Sequence, residues 1–384
     1  MYKSCNLLFK SYAAAFLCIL LTLVSNAQSP QDSILYRCEL SLPGSANCYI
    51  VSRAGMYRFS CVQGNSNRSV GWVEYADVLW ESFGTDVAPE KGDLIKSVSY
   101  KDGYIVFQTA DTFREGNAVI AARDIYGNIL WSWHIWFTDY PHMHSYSYIH
   151  TIENDINIAY SDGLMMDRNL GATSAAPGDV GALGLLYQWG RKDPFLGSSS
   201  ISSSTEAKST ITWPSAVMSD SNTGTPYYAT SHPTTFITSE DSRYWLYRDM
   251  FGWRFLATLW TDSRSAKSIY DPCPPGWRVP DGGENGVWKK AGFGDTTYDT
   301  TNKGISFSIE SPSSTWYPAC GFRDPENGSL KGVGEEGACW TVAGEDSQGF
   351  DRNGKVYIDS TPFALGQSVR CVLDYDRSTE TIRY

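Results

Sequence analysis

Cysteine is the residue type in this chain that offers the widest chemistry, because a thiolate can bind metal, attack a substrate or form a disulfide. The sequence has nine cysteines and no Cys-x-x-Cys pair, so the spacing favours neither a zinc ribbon nor a thioredoxin-type site. Two of them lie in an apolar leader. The other seven are Cys38, Cys48, Cys61, Cys273, Cys320, Cys339 and Cys371. In an exported protein we expect these thiols to form disulfides before they bind metal.

Histidines and carboxylates do not form a catalytic pattern. Four of the five histidines fall between His134 and His150, without a Cys or carboxylate at a standard ligand spacing. Neither G-x-S-x-G nor H-E-x-x-H occurs. The segment Asp324–Asn327 offers oxygen ligands for calcium, but Asp-Pro-x-Asn-Gly is also a strong turn sequence, which we favour. We therefore expect no metal, no cofactor and no enzymatic activity.

An aromatic cluster follows a Ser/Thr-rich loop that spans residues 197–235. Its members are Tyr244, Trp245, Tyr247, Trp253, Arg254 and Trp260. Exposed side chains of these types stack on sugars or anchor a protein partner, whereas buried ones form a satellite core. We take this cluster as the candidate binding site, and the buried arrangement stays open as the alternative.

The N-terminus predicts the compartment. Lys3 and Lys10 precede or flank the apolar run Ala13–Val24, which is followed by small residues up to Ala27. This pattern predicts a signal peptide over residues 1–27 and an exported protein, located at the cell surface, outside the cell or in the periplasm. No other segment is apolar and long enough to suggest a transmembrane helix after cleavage.

Composition narrows the class of partner. The chain has 384 residues, a formal net charge of −11 and a pI near 5.0. Such a charge disfavours nucleic acid, which needs a basic surface. Hydrophobic residues make up 42%, enough for a large core, and the length allows two domains.

Residues 28–142 are predicted to form an all-β sandwich of short strands. The strongest signal is a hairpin around Tyr126-Gly127-Asn128, in which the second strand, Ile129–Phe137, alternates large apolar residues at period two. Nearer the N-terminus, one strand is predicted to end before the turn at Gly55 and the next strand to begin after it. Cys48 and Cys61 flank this turn, so we predict that they are cross-strand neighbours able to form a disulfide.

The remaining chain divides into three parts. Residues 143–160 are predicted to be a polar linker, residues 161–376 a second domain, and residues 377–384 a C-terminal tail. Within the second domain, only Gly181–Gly190 and Val287–Ala291 look helical.

Six separated motifs in the second half resemble those of a known family. They are Asp167-Arg-Asn-Leu-Gly171, Tyr187-Gln-Trp-Gly-Arg-Lys192, Asp271-Pro-Cys-Pro-Pro-Gly-Trp-Arg-Val-Pro280, Ala319-Cys-Gly-Phe-Arg323, Gly337-Ala-Cys-Trp340 and Ser368-Val-Arg-Cys-Val372. In type and order they resemble the Fibrobacter succinogenes major paralogous domain, which is widespread in exported proteins of the Bacteroidetes–Fibrobacteres group. The resemblance covers about residues 155–375, and the segment Ala46–Val51 resembles the β domain that precedes it in many Bacteroides surface proteins.

The resemblance implies an α+β domain with a C-type-lectin-like fold, related to formylglycine-generating enzymes, behind the all-β sandwich. It also implies a disulfide between Cys273 and Cys371, which match the two recurrent cysteines of the family. Cys320 and Cys339 depart from the family pattern, and we predict an additional disulfide between them. A copper-holding pair of the formylglycine-generating type is the less simple alternative for these two cysteines.

By this resemblance, the chain is expected to be an adhesin-like or fimbria-associated surface protein. It would recognise a glycan or a protein at the cell surface through variable loops, about 197–262, and fimbrial subunits are further candidate partners. Two alternatives stay open: an envelope enzyme that acts on polysaccharide, and a purely structural envelope protein.

Overall fold

The computed structural model describes residues 38–139, 165–241, 243–247, 259–261, 266–282, 297–310, 313–342, 346–376 and 381–382. Nearly all regular structure in these residues is β-strand, and helix is limited to one six-residue segment and one 3₁₀ turn. The prediction of a β-rich chain is therefore confirmed. The predicted signal peptide (1–27) and linker (143–160) lie outside the described residues.

Eight strands build the N-terminal half. They are β1 (Cys38–Glu39), β2 (Cys48–Val51), β3 (Met56–Ser60), β4 (Tyr75–Ser82), β5 (Ile95–Lys101), β6 (Tyr104–Thr109), β7 (Gly116–Arg123) and β8 (Ile129–Phe137). The first sheet has the order β1-β3-β6-β5, and the second sheet has the order β2-β8-β7-β4. Residues from both sheets form one hydrophobic core, so this half is a β-sandwich, as the strand pattern predicts.

The alternation along β8 explains why the two sheets pack together. Trp131, Trp133, Ile135 and Phe137 belong to the sandwich core and are at most 2% exposed. Phe59 of β3 meets Trp133 edge to face, with ring centroids 5.2 Å apart. Because burying each large apolar side chain contributes about 1.5–3 kcal/mol, this one strand face supplies much of the adhesion between the layers.

Strands β2 and β3 follow one another in the chain but lie in different sheets. β2 pairs in parallel with β8, and β3 pairs antiparallel with β6. Cys48 therefore packs in a core that extends into the C-terminal half, whereas Cys61 packs inside the sandwich. The prediction that these cysteines are cross-strand neighbours is wrong, and both are buried free thiols.

Sixteen further strands are described in the second half. They are β9 (Tyr187–Gln188), β10 (Val217–Met218), β11 (Ile237–Thr238), β12 (Trp277–Arg278), β13 (Tyr298–Asp299), β14 (Gly304–Glu310), β15 (Ser313–Pro318), β16 (Cys320–Arg323), β17 (Leu330–Val333), β18 (Glu336–Trp340), β19 (Asp346–Asp351), β20 (Val356–Ser360), β21 (Gly366–Gln367), β22 (Val372–Leu373), β23 (Tyr375–Asp376) and β24 (Thr381–Ile382). They form sheets β17-β16-β21-β9, β13-β14-β15 and β18-β19-β20, and the pairs β10-β11, β12-β22 and β23-β24. Helix α1 is Pro226–Ser231.

The helix predicted over Gly181–Gly190 is wrong. A single 3₁₀ turn, Val180–Ala182, is followed by extended chain and β9. Gly184 and Gly190 have φ values of 71° and 82°, which interrupt a right-handed helix. A Cβ at Gly184 would lie 2.9 Å from the carbonyl oxygen of Leu170, so the glycine also permits close backbone packing. The second predicted helix, Val287–Ala291, lies outside the described residues.

The two halves are joined by one continuous hydrophobic core. Trp80 of β4 and Trp136 of β8 point away from the sandwich core and pack among residues of the second half. Trp80 lies 5.5 Å from Trp213, measured between ring centroids, and Trp136 Nε1 donates a hydrogen bond to Ala172 O at 2.9 Å. We call this contact, between the outer face of the second sheet and the C-terminal half, the joint.

Candidate ligand-binding surface

The aromatic cluster predicted as the binding site is mostly buried. Tyr244 is 5% exposed, and Trp245 and Trp260 are each 1% exposed. Tyr247 is half-buried, and its backbone N–H donates to Gly224 O. Trp253 and Arg254 lie outside the described residues. For Tyr244, Trp245 and Trp260 the prediction of an exposed site is therefore wrong, and the alternative of a buried cluster is confirmed.

Two main-chain carbonyls explain this burial. Trp245 Nε1 donates to Trp189 O at 2.7 Å, and Trp260 Nε1 donates to Arg191 O at 3.1 Å. The indoles cover the segment that follows β9 and satisfy its backbone at the same time. Tyr244 packs edge to face on Phe363. These residues thus form the core of the second half.

The cysteines of the second half separate into one disulfide and two thiols. Cys273 and Cys371 are bonded and close a loop of sequence separation 98. Cys320 and Cys339 are free, so the predicted disulfide between them is wrong. Their sulfur atoms contact other groups: Cys320 Sγ lies 3.1 Å from the Ser368 hydroxyl, and Cys339 Sγ lies 3.8 Å from Asn169 Oδ1. Burial raises the pKa of Cys339 to about 12, which keeps it protonated and unreactive.

Charged residues in the motif segments hold loops together. Arg370 is buried and donates to Asn169 Oδ1, Thr315 Oγ1 and Trp316 O at 2.8–3.0 Å. The Asp271 carboxylate accepts the backbone N–H groups of Cys273 and Val279. Burial raises the pKa of Asp271 to about 6, although Lys267 and these hydrogen bonds oppose the shift. The motif residues thus bind the backbone of their own chain.

Asp324 begins the turn predicted from Asp324–Asn327. Its carboxylate accepts the backbone N–H of Glu326 at 2.8 Å and pairs with Lys331. These hydrogen bonds and the Lys331 ammonium lower the pKa of Asp324 against the effect of burial. The oxygens of this carboxylate are therefore already bonded to groups of the same hairpin. Among the described residues, no group of three or more His, Cys, Asp or Glu side chains is placed to hold a metal ion.

The joint contains a buried ionic cluster. Lys192 Nζ lies 2.8 Å from Asp193 Oδ1 and donates to Ser132 O at 3.0 Å. Ser132 Oγ of β8 donates to Asp193 Oδ1 at 2.6 Å. Burial lowers the pKa of Lys192, and Asp193 opposes that shift. All three side chains are nearly inaccessible, so they bind the halves together and are closed to a ligand.

His134 occupies the same joint as a neutral side chain. Asn117 Nδ2 donates to Gly171 O, so Asn117 Oδ1 is left to accept a hydrogen bond from His134 Nε2–H at 2.9 Å. The Tyr187 hydroxyl lies 3.5 Å from the other ring nitrogen. Burial lowers the pKa of His134 to about 3. A histidine that stays neutral across the physiological range acts here as a packing and hydrogen-bonding group.

A cleft at the edge of the joint offers no reactive group. Its empty volume is about 300 Å³, including the solvent at its mouth, and Asn117, Gly171 and Leu185 are among the residues that line it. None of the described residues that line it is titratable.

Three of the exposed aromatic residues lie, together with one exposed isoleucine, at one end of the second sheet. Trp72 is 95% exposed, Tyr126 is 82% exposed, Ile125 is 67% exposed and Tyr75 is 42% exposed. We call these four residues the hairpin-tip patch. Monomeric proteins rarely leave several large apolar side chains uncovered in one place, and such patches mark interaction sites.

Strand pairing places the four residues at one end of the sheet. Tyr75 begins β4 and lies opposite Arg123, the last residue of β7. Ile125 and Tyr126 form the turn that follows β7. A Cβ at Gly127 would lie 3.6 Å from the Tyr75 hydroxyl.

Trp72 is brought to the same end by its neighbour in the chain. A Cβ at Gly71 would lie 3.6 Å from Leu130 Cδ1, near the start of β8. The backbone N–H of Glu74 donates to Arg123 O, which extends the pairing of β4 and β7 beyond the strand.

The tip is rigid because Asp124 organises it. Asp124 Oδ1 accepts the backbone N–H groups of Tyr126 and Asn128 at 2.9 and 2.8 Å, and Asp124 Oδ2 accepts Asn128 Nδ2. The Asn128 side chain and these backbone donors lower the pKa of Asp124. Arg123 adds a hydrogen bond to Gly127 O. The turn therefore presents the Tyr126 ring on an ordered backbone.

Sequence reasoning missed the patch although one signal was available. The hairpin around Tyr126-Gly127-Asn128 is predicted correctly, and a tight hairpin turn has no room to bury a tyrosine. Trp72 and Tyr75 carry no such signal, because an aromatic residue near a strand is more often buried.

Comparisons with known proteins found no similar protein. No protein-family profile, curated protein or solved structure matches the chain. Among the described residues, no helix has the length and apolar character needed to cross a membrane.

Proposed function

We propose that this chain is an exported cell-surface binding protein, adhesin-like or fimbria-associated, without catalytic activity of its own. The observation that carries the proposal is the hairpin-tip patch, in which three aromatic rings are exposed and one of them, Tyr126, stands on an ordered turn. The proposal keeps the expected role but changes its location. The binding surface lies on the β-sandwich, because Tyr244, Trp245 and Trp260 of the second half are buried.

We further propose that the second half is a member of the Fibrobacter succinogenes major paralogous domain family with a C-type-lectin-like fold. Support comes from the convergence of its motif residues. Asn169 of the first motif binds Arg370 of the last, and Cys273 is bonded to Cys371. Residues that interlock in this way have a structural reason to recur together. In this proposal the second half is a scaffold that covers one face of the binding sandwich.

Export is the second part of the proposed function and rests on the N-terminal segment. The leader over residues 1–27 has the charged start, apolar run and small residues of a signal peptide. The disulfide between Cys273 and Cys371 supports an oxidising compartment.

The test combines location and binding. Protease treatment of intact cells should remove the protein, and its N-terminus should begin at Gln28. The mature protein, residues 28–384, should bind saturably to an array of glycans and purified extracellular proteins. The double variant Trp72→Ala/Tyr126→Ala should lose this binding. Tyr227→Ala is the matched control, because Tyr227 is an 83% exposed tyrosine on α1. Saturable binding that survives the double variant would place the site elsewhere and refute the proposal.

A further inference from the structure

The hairpin-tip patch also constrains the class of ligand, and this inference rests on the proposed function. Its apolar surface is formed by ring faces and one aliphatic side chain. Pyranose sugars have faces made of C–H groups that stack on aromatic rings, while their hydroxyls remain in water. A sugar can stack on the ring faces of Trp72 and Tyr126, because no neighbouring described residue covers them.

Two charged side chains near the patch, Arg123 and Asp124, are held by other groups of the protein. Arg123 Nε pairs with Asp77 at 2.9 Å, and its Nη1 donates to Gly127 O. Asp124 is held by the turn that it organises. Glu74 is the exposed acidic side chain beside Trp72 and Tyr75 in the sequence, and the net charge of the chain is −11. Both features repel an acidic polymer, so charge complementarity favours an uncharged ligand.

The shape of the surface indicates how such a ligand would lie. The rings stand on the outside of a hairpin turn and on the strand beside it, whereas a terminal sugar is usually held in a concave pocket. An open surface is accessible to the internal sugars of a polysaccharide chain. The ordered Asp124 turn fixes the position of Tyr126 before binding, so little conformational entropy is lost when a sugar stacks on it.

We propose that the hairpin-tip patch binds internal segments of an uncharged polysaccharide by stacking pyranose faces on Trp72 and Tyr126, with Tyr75 and Ile125 extending the contact. The ligand is thus a neutral glycan chain, and neither an acidic polysaccharide nor a protein is the expected occupant. Binding through stacking depends little on ionic strength, whereas binding of an acidic polymer through cationic side chains weakens as salt rises.

Affinity electrophoresis and calorimetry test the proposal with mature wild-type protein. The probes are neutral arabinoxylan, galactomannan and laminarin, with polygalacturonate and dextran sulfate as acidic counterparts. We expect at least one neutral polymer to bind, with an affinity that is unchanged from low to high salt. Trp72→Ala and Tyr126→Ala should each weaken it about tenfold or more, and Tyr227→Ala should leave it unchanged. Unaltered melting temperatures would show that the variants are folded.

Three outcomes would overturn the proposal and separate it from the proposed function. Preference for the acidic polymers, with strong salt dependence, would refute the uncharged ligand. Binding to an extracellular protein that is lost in Trp72→Ala, without binding to any glycan, would refute the ligand class and leave the proposed surface intact. No binding of either kind by folded protein would refute both.

Discussion

Ser132 donates a 2.6 Å hydrogen bond to Asp193, and this bond crosses the joint between the β-sandwich and the second half. Lys192 neutralises the same carboxylate and reaches back to the Ser132 carbonyl oxygen. A charge pair that is removed from water costs several kcal/mol, so it is retained only where geometry and hydrogen bonds compensate. The two halves are therefore held in one relative position by a polar contact inside an apolar interface.

Replacing Lys192 with Met should strongly destabilise the whole chain. The variant keeps the bulk of the side chain but leaves the Asp193 carboxylate buried with only the Ser132 hydroxyl as its partner in the cluster. Removing one member of a buried ion pair costs about 3–5 kcal/mol. Urea unfolding followed by tryptophan fluorescence measures this loss.

The exposed pair of Lys96 and Asp111 supplies the matched control. Lys96 Nζ lies 2.7 Å from Asp111 Oδ2, but both side chains are largely in solvent. Lys96→Met should cost less than ~1 kcal/mol. Equal losses in the two variants would show that the Lys192 cluster contributes no more than a surface pair.

His134 and Asp271 should give stability opposite dependences on pH. The pKa of His134 is about 3 in the folded chain, so the unfolded chain binds the extra proton and stability falls as pH drops below about 6.5. The pKa of Asp271 is raised from 3.8 to about 6, so the folded chain binds the extra proton and stability falls as pH rises from about 4 to about 6. The two effects partly cancel in the wild type.

Single substitutions should separate these two effects. His134→Gln should remove the loss of stability that protonation of the unfolded histidine causes at low pH. Between about pH 6.5 and about pH 4.5, the variant should therefore lose less unfolding free energy than the wild type does. Asp271→Asn should change the same difference in the opposite direction. Denaturant midpoints at the two pH values measure this difference in stability for each variant. If both variants changed the stability difference between the two pH values in the same direction relative to wild type, this account would be contradicted.

Peptide mapping without reduction should find one disulfide and several thiols. We expect a linked pair of peptides that contain Cys273 and Cys371, and alkylation of Cys320 and Cys339 once the chain is unfolded. Replacing both bonded cysteines with Ala should lower the free energy of unfolding by about 4–5 kcal/mol, because the bond closes a long loop. A linked peptide joining Cys320 to Cys339 would contradict the arrangement.

Two glycines with similar backbone conformation should differ in their tolerance of a side chain. Gly321 has φ 66°, and its Cβ would lie 2.2 Å from Lys331 O, whereas Gly103 has φ 83° and open space around it. Gly103→Ala should cost about 1 kcal/mol for the backbone conformation alone. Gly321→Ala should cost at least ~2 kcal/mol more, because β16 and β17 must separate. Thermal unfolding distinguishes the two, and equal costs would exclude the steric explanation.

The sandwich could be predicted from sequence because its information is local. The period-two pattern of Trp131, Trp133, Ile135 and Phe137 depends only on strand geometry, and all four residues lie in the sandwich core. The outward residues of the same strand could not be interpreted in this way. Trp136 is buried because the second half covers it, and such long-range contacts leave no periodic signal.

The burial of the aromatic cluster could not be predicted from the sequence for a related reason. Trp245 and Trp260 lie in a segment without regular periodicity, so the sequence did not reveal that carbonyls of residues 189 and 191 would accept their indole N–H groups. Tyr126 was the opposite case. Tyr126 lies in the tight turn between two strands, and this position alone predicts that its side chain is exposed, whatever the rest of the fold.

Strands β7 and β8 connect the hairpin tip to the joint, and this connection has a mechanical consequence. Tension on a polymer held at Tyr126 would enter the protein at the turn and pass lengthwise along both strands. It would reach the second half at Trp136 and Ser132, where indole packing and an ionic cluster anchor β8. Interstrand hydrogen bonds loaded along the strand must yield together, so the sandwich would resist pulling from its tip more strongly than peeling from an edge.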